Sequence, residues 1–183
     1  MNNFVRLIIF LLITRPLLCN SESLEKSKFV SIGFGSTLKA FEGNHSGISI
    51  GITGQYQMKK DIVSLQFVSN GESRSLAYNP RPNLSISHFG ILYSKFRRSP
   101  ENIISIGAGP ALVRFTDRGD LIKDNYPSAS EYEKIVSNYF GFIIHGQALA
   151  FRKIGLGLNL YANINSRNTF LGFFISLYFG KFK

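Results

Sequence analysis

The chain has 183 residues, enough for a single domain, with a formal net charge of +10 and one cysteine. A single cysteine excludes a framework of intrachain disulfides. The basic balance does not by itself indicate a nucleic-acid-binding protein, because the placement of the charges along the chain decides that question.

The N-terminal segment has the features of a secretory signal peptide. Arg6 supplies a positive charge, and an apolar core follows at 7–13. This core is far shorter than the roughly 20 residues that a membrane-spanning helix needs. We therefore predict a signal peptide over 1–21, which is removed, and a mature domain over 22–183.

The cysteine allows an alternative to this cleavage. In a lipoprotein signal, Cys19 would become the acylated first residue, although Leu18 stands where such signals have a small residue. If cleavage instead follows Cys19, the mature chain has no thiol and no disulfide chemistry.

The mature sequence alternates apolar and polar residues with a period of two, which is typical of β-strands with one apolar face. The C-terminal stretch shows this most clearly, since Leu156 and Leu158 alternate with Gly157 and Asn159. In chain order, strands are predicted near 29–38, 47–58, 62–69, 84–94, from 103, 139–151, 154–165 and from 170. In the fourth of these, Phe89, Ile91 and Tyr93 are assigned to the apolar face.

The fifth predicted strand changes parity. Its apolar residues occupy even positions before Pro110, as at Ile106, and odd positions after it, as at Val113. We predict a one-residue bulge here, because proline inside a strand is tolerated at an edge or a bulge. The charged segment 116–138 is predicted to be a loop, with a helical turn over 131–136.

The connections alternate between short and long for most of the chain. Short turns are predicted at 59–61, 96–102 and 152–153, longer loops at 41–46, 70–83 and 116–138, and a last short loop at 166–169. This alternation, with strands near the roughly 9–11 residues that cross a bilayer, is typical of outer-membrane barrels. We predict an all-β fold, an eight-stranded antiparallel up-and-down transmembrane β-barrel.

The second face of the strands favours a membrane barrel over a soluble lipocalin-like one. That face carries Gly, Ser, Thr, Asn, Gln and Tyr rather than the charges expected at a water-exposed surface, and the charges collect at the strand ends. The end that carries both chain termini (the terminus end) has ten basic and four acidic residues, a net +6, whereas the opposite end (the loop end) has seven of each. A basic collar facing anionic headgroups explains the net charge without nucleic acid.

The pattern resembles the small eight-stranded outer-membrane barrels of the OmpX and OmpA-transmembrane type. Gly172, Ile175 and Leu177 resemble the C-terminal signal read by the barrel-assembly machinery, and GLGLNLYANIN with the closing LYFGKFK resembles outer-membrane proteins of the Bacteroidota. The resemblance implies a bacterial outer-membrane location. It also implies outer-membrane lipids as surroundings, and the assembly machinery and periplasmic chaperones as transient partners.

Eight polar side chains are assigned to the lumen of the predicted barrel. They are Arg114, His145, Gln55, Gln57, Gln66, Asn159, Tyr161 and Asn163. Arg114 and His145 could bind an anion, but a hydrogen-bonded filling of the lumen is the preferred interpretation.

No catalytic residue, cofactor or metal is predicted. The lipid A deacylase type of barrel has a serine two residues after a histidine, and neither His88 nor His145 has one. The segment from Asp117 to Asp124 lacks the ligand spacing of an EF-hand.

The predicted function is a structural or adhesive role for a monomeric barrel, with the loops at 70–83 and 116–138 as the contact surface. Three alternatives stay open: a narrow small-solute channel, a soluble lipocalin-like carrier and a lipid A-modifying enzyme.

Overall fold

A computed structural model describes residues 27–38, 47–59, 61–72, 81–99, 102–124, 130–150 and 155–180. The predicted signal peptide, Cys19 and the turn at 152–153 lie outside the described residues. The eight strands are β1 (Ser27–Leu38), β2 (Gly47–Met58), β3 (Asp61–Glu72), β4 (Ser85–Arg98), β5 (Asn102–Lys123), β6 (Glu131–Ala150), β7 (Gly155–Asn165) and β8 (Thr169–Gly180).

The strands close into one antiparallel up-and-down barrel in sequence order, with β8 pairing β1, which confirms the predicted fold class. Following registered partners once round the barrel leads from Ile103 back to β5 at Val113, ten residues further along that strand. A shear of ten over eight strands inclines the strands by about 40° to the barrel axis, within the usual range for barrels.

The two faces of the barrel differ as the alternation predicts. Apolar side chains point outward and are exposed on all eight strands, including Phe89, Ile91 and Tyr93 of β4 and the leucines of β7. Inward positions are buried and carry most of the polar residues. In the part of the chain that the structure describes, no helix is long and apolar enough to cross a membrane.

The predicted bulge in β5 is wrong. The register between β4 and β5 is the same on both sides of Pro110, and even-numbered residues face outward from Asn102 to Arg114. Ala111 and Val113 are therefore inside the barrel. The apolar residues switch from even to odd positions because the part of the lumen toward the loop end is itself filled with apolar side chains, so an apolar residue there can face inward.

A close approach of two backbones at Gly109 helps to keep this register. A Cβ atom at Gly109 would collide with the carbonyl oxygen of Ile91 on β4. Pro110 has no N–H to give to the ladder, and the pairing with β4 is interrupted beside it and resumes in register at Ala111.

The predicted loop over 116–138 and its helical turn are also wrong. β5 continues to Lys123 and β6 begins at Glu131, so most of this segment is a β-hairpin that extends beyond the neighbouring strands. Charged residues are interspersed here with the exposed Leu121, Ile122 and Ile135, a composition that a two-stranded ribbon with both faces exposed can accommodate.

Candidate functional site

The lumen is closed by apolar side chains near the terminus end. This cluster is made of Phe29, Ile103, Leu149 and Tyr178, with Phe96 packed against it. All four core members are nearly inaccessible to solvent. The cluster comes from strands on opposite sides of the barrel, so it crosses the lumen as a plug.

A polar ring lies next to this plug on its inner side. Because the strands are inclined, residues at one level are either registered partners or two positions removed from them. The ring consists of Ser31, Gln55, Ser64, Ser94, Ser105, Gln147 and Ser176, with Gly157 on the remaining strand. Gln55 Nε2 donates to Gln147 Oε1 at 2.7 Å, so two long side chains bridge a ring of short ones.

Asn159 is the centre of a hydrogen-bonded group above the ring. Its Oδ1 accepts from the Tyr178 hydroxyl at 2.9 Å and lies 3.2 Å from His145 Nε2, while its Nδ2 donates to Ser176 Oγ at 2.9 Å. All four residues are buried. Each polar atom of Asn159 therefore has a partner, as burial of an amide demands.

A second polar group lies nearer the loop end around Tyr161. The Thr37 hydroxyl lies 2.9 Å from the Tyr161 hydroxyl and 2.6 Å from Ser49 Oγ, and it donates to Asn70 Oδ1. The Tyr161 hydroxyl donates to the same Asn70 oxygen at 3.1 Å. These contacts join β1, β2, β3 and β7 across the barrel.

Apolar side chains fill the space between and above the polar groups. The larger core cluster contains Val68, Ile86, Leu92, Ala111, Val113, Phe115, Ile143, Tyr161, Phe170 and Phe174. His88 lies against it, with its ring centroid 5.3 Å from that of Tyr161 and 5.9 Å from that of Phe170. The lumen therefore has apolar closures on both sides of its polar ring.

The structure brings seven of the eight expected polar residues to the buried inner face: Gln55, Gln57, Gln66, His145, Asn159, Tyr161 and Asn163. The side-chain amides of Gln57 and Gln66 make no hydrogen bond to another described residue, nor do the ring nitrogens of His88. Amide and imidazole groups of this kind can bind water or a small uncharged solute.

The assignment of Arg114 to the lumen is wrong. Arg114 is exposed on the outer face of β5, between its registered partners Ser87 and Asn138. The error follows from the predicted bulge, since without a parity change Val113 and Phe115 point inward and Arg114 points outward. His145 therefore has no lumenal arginine beside it from this position.

His88 does not share a face of β4 with the serines beside it in the sequence. His88 points inward, whereas Ser85 and Ser87 occupy the outward parity of β4. Among the described residues, no group of three or more histidine, cysteine and acidic side chains could hold a metal ion.

Two ion pairs tie the loop end together, and the sequence analysis did not identify them. Arg118 Nη2 lies 2.6 Å from Glu72 Oε2, with both side chains mostly buried, and Arg118 Nε donates to the Pro82 carbonyl at 2.9 Å. Arg167 Nη1 donates to Asp117 Oδ2 at 2.6 Å. The sequence alone does not predict which charged residues pair here, because the members of the two pairs are 46 and 50 residues apart.

Arg167 also covers the apolar filling of the lumen. Its guanidinium carbon lies 4.9 Å from the centroid of the Phe115 ring and 5.9 Å from that of Tyr139. The turn that presents Arg167 is held by Asn165 Oδ1, which accepts from the backbone N–H groups of Arg167 and Asn168. A cation over an edge-to-face pair of aromatic rings thus covers the loop end of the lumen.

The β5–β6 hairpin projects beyond this closure and exposes apolar side chains. Ile122 is 69 % exposed and Leu121 is 51 % exposed, so neither side chain is covered by the rest of the described structure. The backbone of Arg81 pairs with β6 near the tip of the hairpin, because Arg81 N–H donates to the Ser130 carbonyl and Tyr132 N–H donates to the Arg81 carbonyl. The hairpin and the segment before β4 therefore form one surface.

At the terminus end, two tyrosines on the outer face are each accompanied by a lysine. Lys28 Nζ lies 5.9 Å from the Tyr56 ring centroid, and Lys95 Nζ lies 5.4 Å from that of Tyr93. Lys95 also pairs with Asp61, at the turn outside the apolar band, and this hydrogen bond lowers the pKa of the Asp61 carboxyl. Tyrosine with lysine at the edge of an apolar band is typical of a membrane interface.

No protein-family model matches the sequence, and no curated protein sequence matches it. Solved structures of bacterial outer-membrane barrels do match the fold. Neisserial surface protein A aligns with a TM-score of 0.59 and 12 % identity, over 84 % of this chain and 94 % of its own.

Two further barrels give similar alignments. The N-terminal β-barrel domain of Pseudomonas aeruginosa OprF has a TM-score of 0.55 and 9 % identity, over 86 % of this chain and 100 % of its own. Ail, the attachment invasion locus protein of Yersinia pestis, has a TM-score of 0.54 and 8 % identity, over 85 % and 100 %. At these identities the likeness shows the fold.

Proposed function

We propose that this chain is an integral protein of a bacterial outer membrane, with a structural or adhesive role carried by its loop end. The observation that carries the location is the distribution of apolar surface. Phe34, Ile106, Phe140 and Ile175 are among many large apolar side chains that the closed barrel leaves at least half exposed. A monomer in water does not expose a continuous apolar band of this kind.

A soluble lipocalin-like carrier is a poorer account of the same strands. Such a barrel turns its apolar face inward around a ligand cavity. Here the apolar face points outward, and the inside is filled by clusters that include Phe29 and Phe174. The small-solute channel is likewise disfavoured, because two apolar closures separate the polar ring from the barrel ends.

The adhesive role is supported by the exposed surface of the β5–β6 hairpin. Ile122 and Leu121 lie far from the outer band that lipids would cover, and Arg81, Glu131 and Tyr132 surround Ile122 in a surface cavity of about 600 Å³. Two of the similar structures are described as a surface protein and an attachment invasion locus protein.

Other parts of the proposal follow from the location. A barrel in this membrane would be delivered by periplasmic chaperones and inserted by the barrel-assembly machinery, and it would function as a monomer among outer-membrane lipids. The closing LYFGKFK sequence supports an origin in the Bacteroidota. We propose no enzymatic activity, and lipid A from an overexpressing strain should be unaltered.

The location is tested by membrane fractionation with gel migration before and after boiling. A folded membrane barrel should appear in the outer-membrane fraction and should change its mobility on heating. A soluble periplasmic protein without a heat shift would contradict the proposal and would restore the lipocalin-like alternative.

The adhesive role is tested with a variant in which residues 119–133 are replaced by a two-residue Asn-Gly turn. Cells expressing the full chain should attach to plates coated with laminin, collagen or heparin better than cells expressing this variant. The double substitution Leu121→Ser and Ile122→Ser keeps the hairpin and tests its apolar side chains. Equal attachment by all three, with heat shifts intact, would exclude adhesion to these surfaces through the hairpin.

A further inference from the structure

The outer face of the barrel has a notch at Gly54. Gly54 faces outward on β2, between its registered partners Val30 on β1 and Leu65 on β3, both about half exposed. A Cβ atom at Gly54 would meet no atom within 4 Å. The depression has a volume of about 600 Å³, and Tyr56 and Val63 form its wall toward the terminus end.

A lysine stands one row from this notch. Lys28 is the registered partner of Tyr56 and lies at the rim of the same depression. Its ammonium lies 5.9 Å from the Tyr56 ring centroid and is exposed at the terminus end of the barrel. Two residues of strand separate the Gly54 row from the Lys28 row, about 7 Å along the strand.

We propose that this notch binds one phospholipid, with an acyl chain over Gly54 and the phosphate at the Lys28 ammonium. The proposal rests on the membrane location proposed above. The spacing of about 7 Å matches the separation between a lipid phosphate and the beginning of its acyl chains, so one molecule can reach both contacts. Charge complementarity with Lys28 selects a lipid that presents an anionic group at this edge of the apolar band.

A second outward glycine provides a matched comparison. Gly146 also has open space where a Cβ would be, and it lies between Ile106 and Leu160. On these three strands, the adjacent row toward the terminus end contains Ile104, Ala148 and Leu158, with no lysine or arginine. Arg97 is the nearest cation in that row, but as the registered partner of Ile104 it lies two strands from Gly146, whereas Lys28 lies on the strand next to Gly54. An acyl chain could touch Gly146, but the phosphate would have no cation on a neighbouring strand one row away.

Native mass spectrometry of the full barrel released from nanodiscs tests the proposal. The discs contain equal amounts of phosphatidylglycerol and phosphatidylcholine, and the fraction of barrel with one bound phospholipid is measured. Gly54→Leu should reduce this fraction about tenfold, because it removes contacts with about two methylene groups of the chain. Gly146→Leu should leave it unchanged.

Lys28→Gln should retain a lipid but lose the preference for phosphatidylglycerol. Equal lipid retention by Gly54→Leu and Gly146→Leu would overturn the proposal, and so would a dimer in place of the lipid adduct. An unchanged headgroup preference in Lys28→Gln would overturn the phosphate contact. A heat-shift gel on each sample separates these results from failure of the proposed function: a barrel that inserts without a specific lipid refutes only the notch, and a chain that never inserts refutes the location.

Discussion

At the scale of single residues, the contribution of each lumenal polar side chain to the stability of the barrel depends on whether it has a hydrogen-bond partner. Gln55 and Gln147 illustrate this, because their mutual hydrogen bond satisfies one polar atom on each side chain and leaves Gln55 Oε1 and Gln147 Nε2 without a partner among the described residues. Burying an amide that lacks its partner costs more than the hydrogen bond returns in net stability.

We therefore expect a strong coupling between these two glutamines. Gln55→Met should lower the free energy of unfolding by about 1–3 kcal/mol, because it leaves the Gln147 side chain unpaired. The double variant with Gln147→Met should recover most of that loss, since methionine keeps the shape without polar atoms. Urea titrations in phospholipid vesicles, followed by circular dichroism because the chain has no tryptophan, measure the cycle. Additive losses would contradict the coupling.

The ion pair of Arg118 and Glu72 makes a second prediction at this scale. Both side chains are mostly buried, and the guanidinium also holds the Pro82 carbonyl. Arg118→Met should destabilise the barrel by about 3 kcal/mol, because it leaves a carboxylate in a buried site, and Glu72→Gln with Arg118→Met should cost less. Lys134→Met, on an exposed residue registered with Arg118, serves as the control and should change stability by under about 0.5 kcal/mol. If Arg118→Met and Lys134→Met proved equally mild, the pair would not stabilise the loop end.

At the scale of elements, the sequence predicted all eight strands, but β3, β4, β5 and β6 each extend further toward one end than predicted. In β2 and β8 the alternation predicted both the strand and its outward apolar face, because every second residue is apolar along most of the element. β5 was misjudged because its inner residues pass from Ser105 to Val113 as the lumen passes from the polar ring to the apolar filling. The sequence of one strand does not show that its inner residues move from polar to apolar surroundings. Arg114 was therefore assigned to the lumen instead of the outer face.

The register of β5 depends on a contact that only the assembled sheet shows. Gly109→Ala should lower the free energy of unfolding by about 2 kcal/mol or more, because the new methyl group would press on the Ile91 carbonyl. Gly146→Ala is the matched control, as its Cβ would occupy open space, and it should be neutral or slightly stabilising. The same urea titration compares them, and equal effects would show that the close approach at Gly109 does not constrain the strand.

At the scale of the whole molecule, the two faces of the barrel specify its surroundings. The inside is packed, with apolar clusters on either side of a polar ring, whereas the outside carries a band of exposed apolar side chains on all eight strands. Lipid can cover such a band without leaving a sheet edge unpaired, because each strand of the closed barrel has a partner on both sides. The sequence predicted this arrangement, but not the long-range ion pairs of Arg118 and Arg167, which depend on which loops meet at one rim.

Neighbouring positions on β7 offer a direct test of which solvent covers the band. Leu158 points outward and is 46 % exposed, and Asn159 beside it points into the lumen. With Cys19 replaced by serine, a spin label on Leu158→Cys in vesicles should collide readily with oxygen, which concentrates in lipid, and rarely with a water-soluble nickel complex. A label on Asn159→Cys should collide little with either reagent, because the lumen is packed. Frequent nickel collisions at Leu158→Cys in a heat-modifiable sample would mean that water, rather than lipid, covers the apolar face, and the proposed location would then fail at the level of the entire barrel.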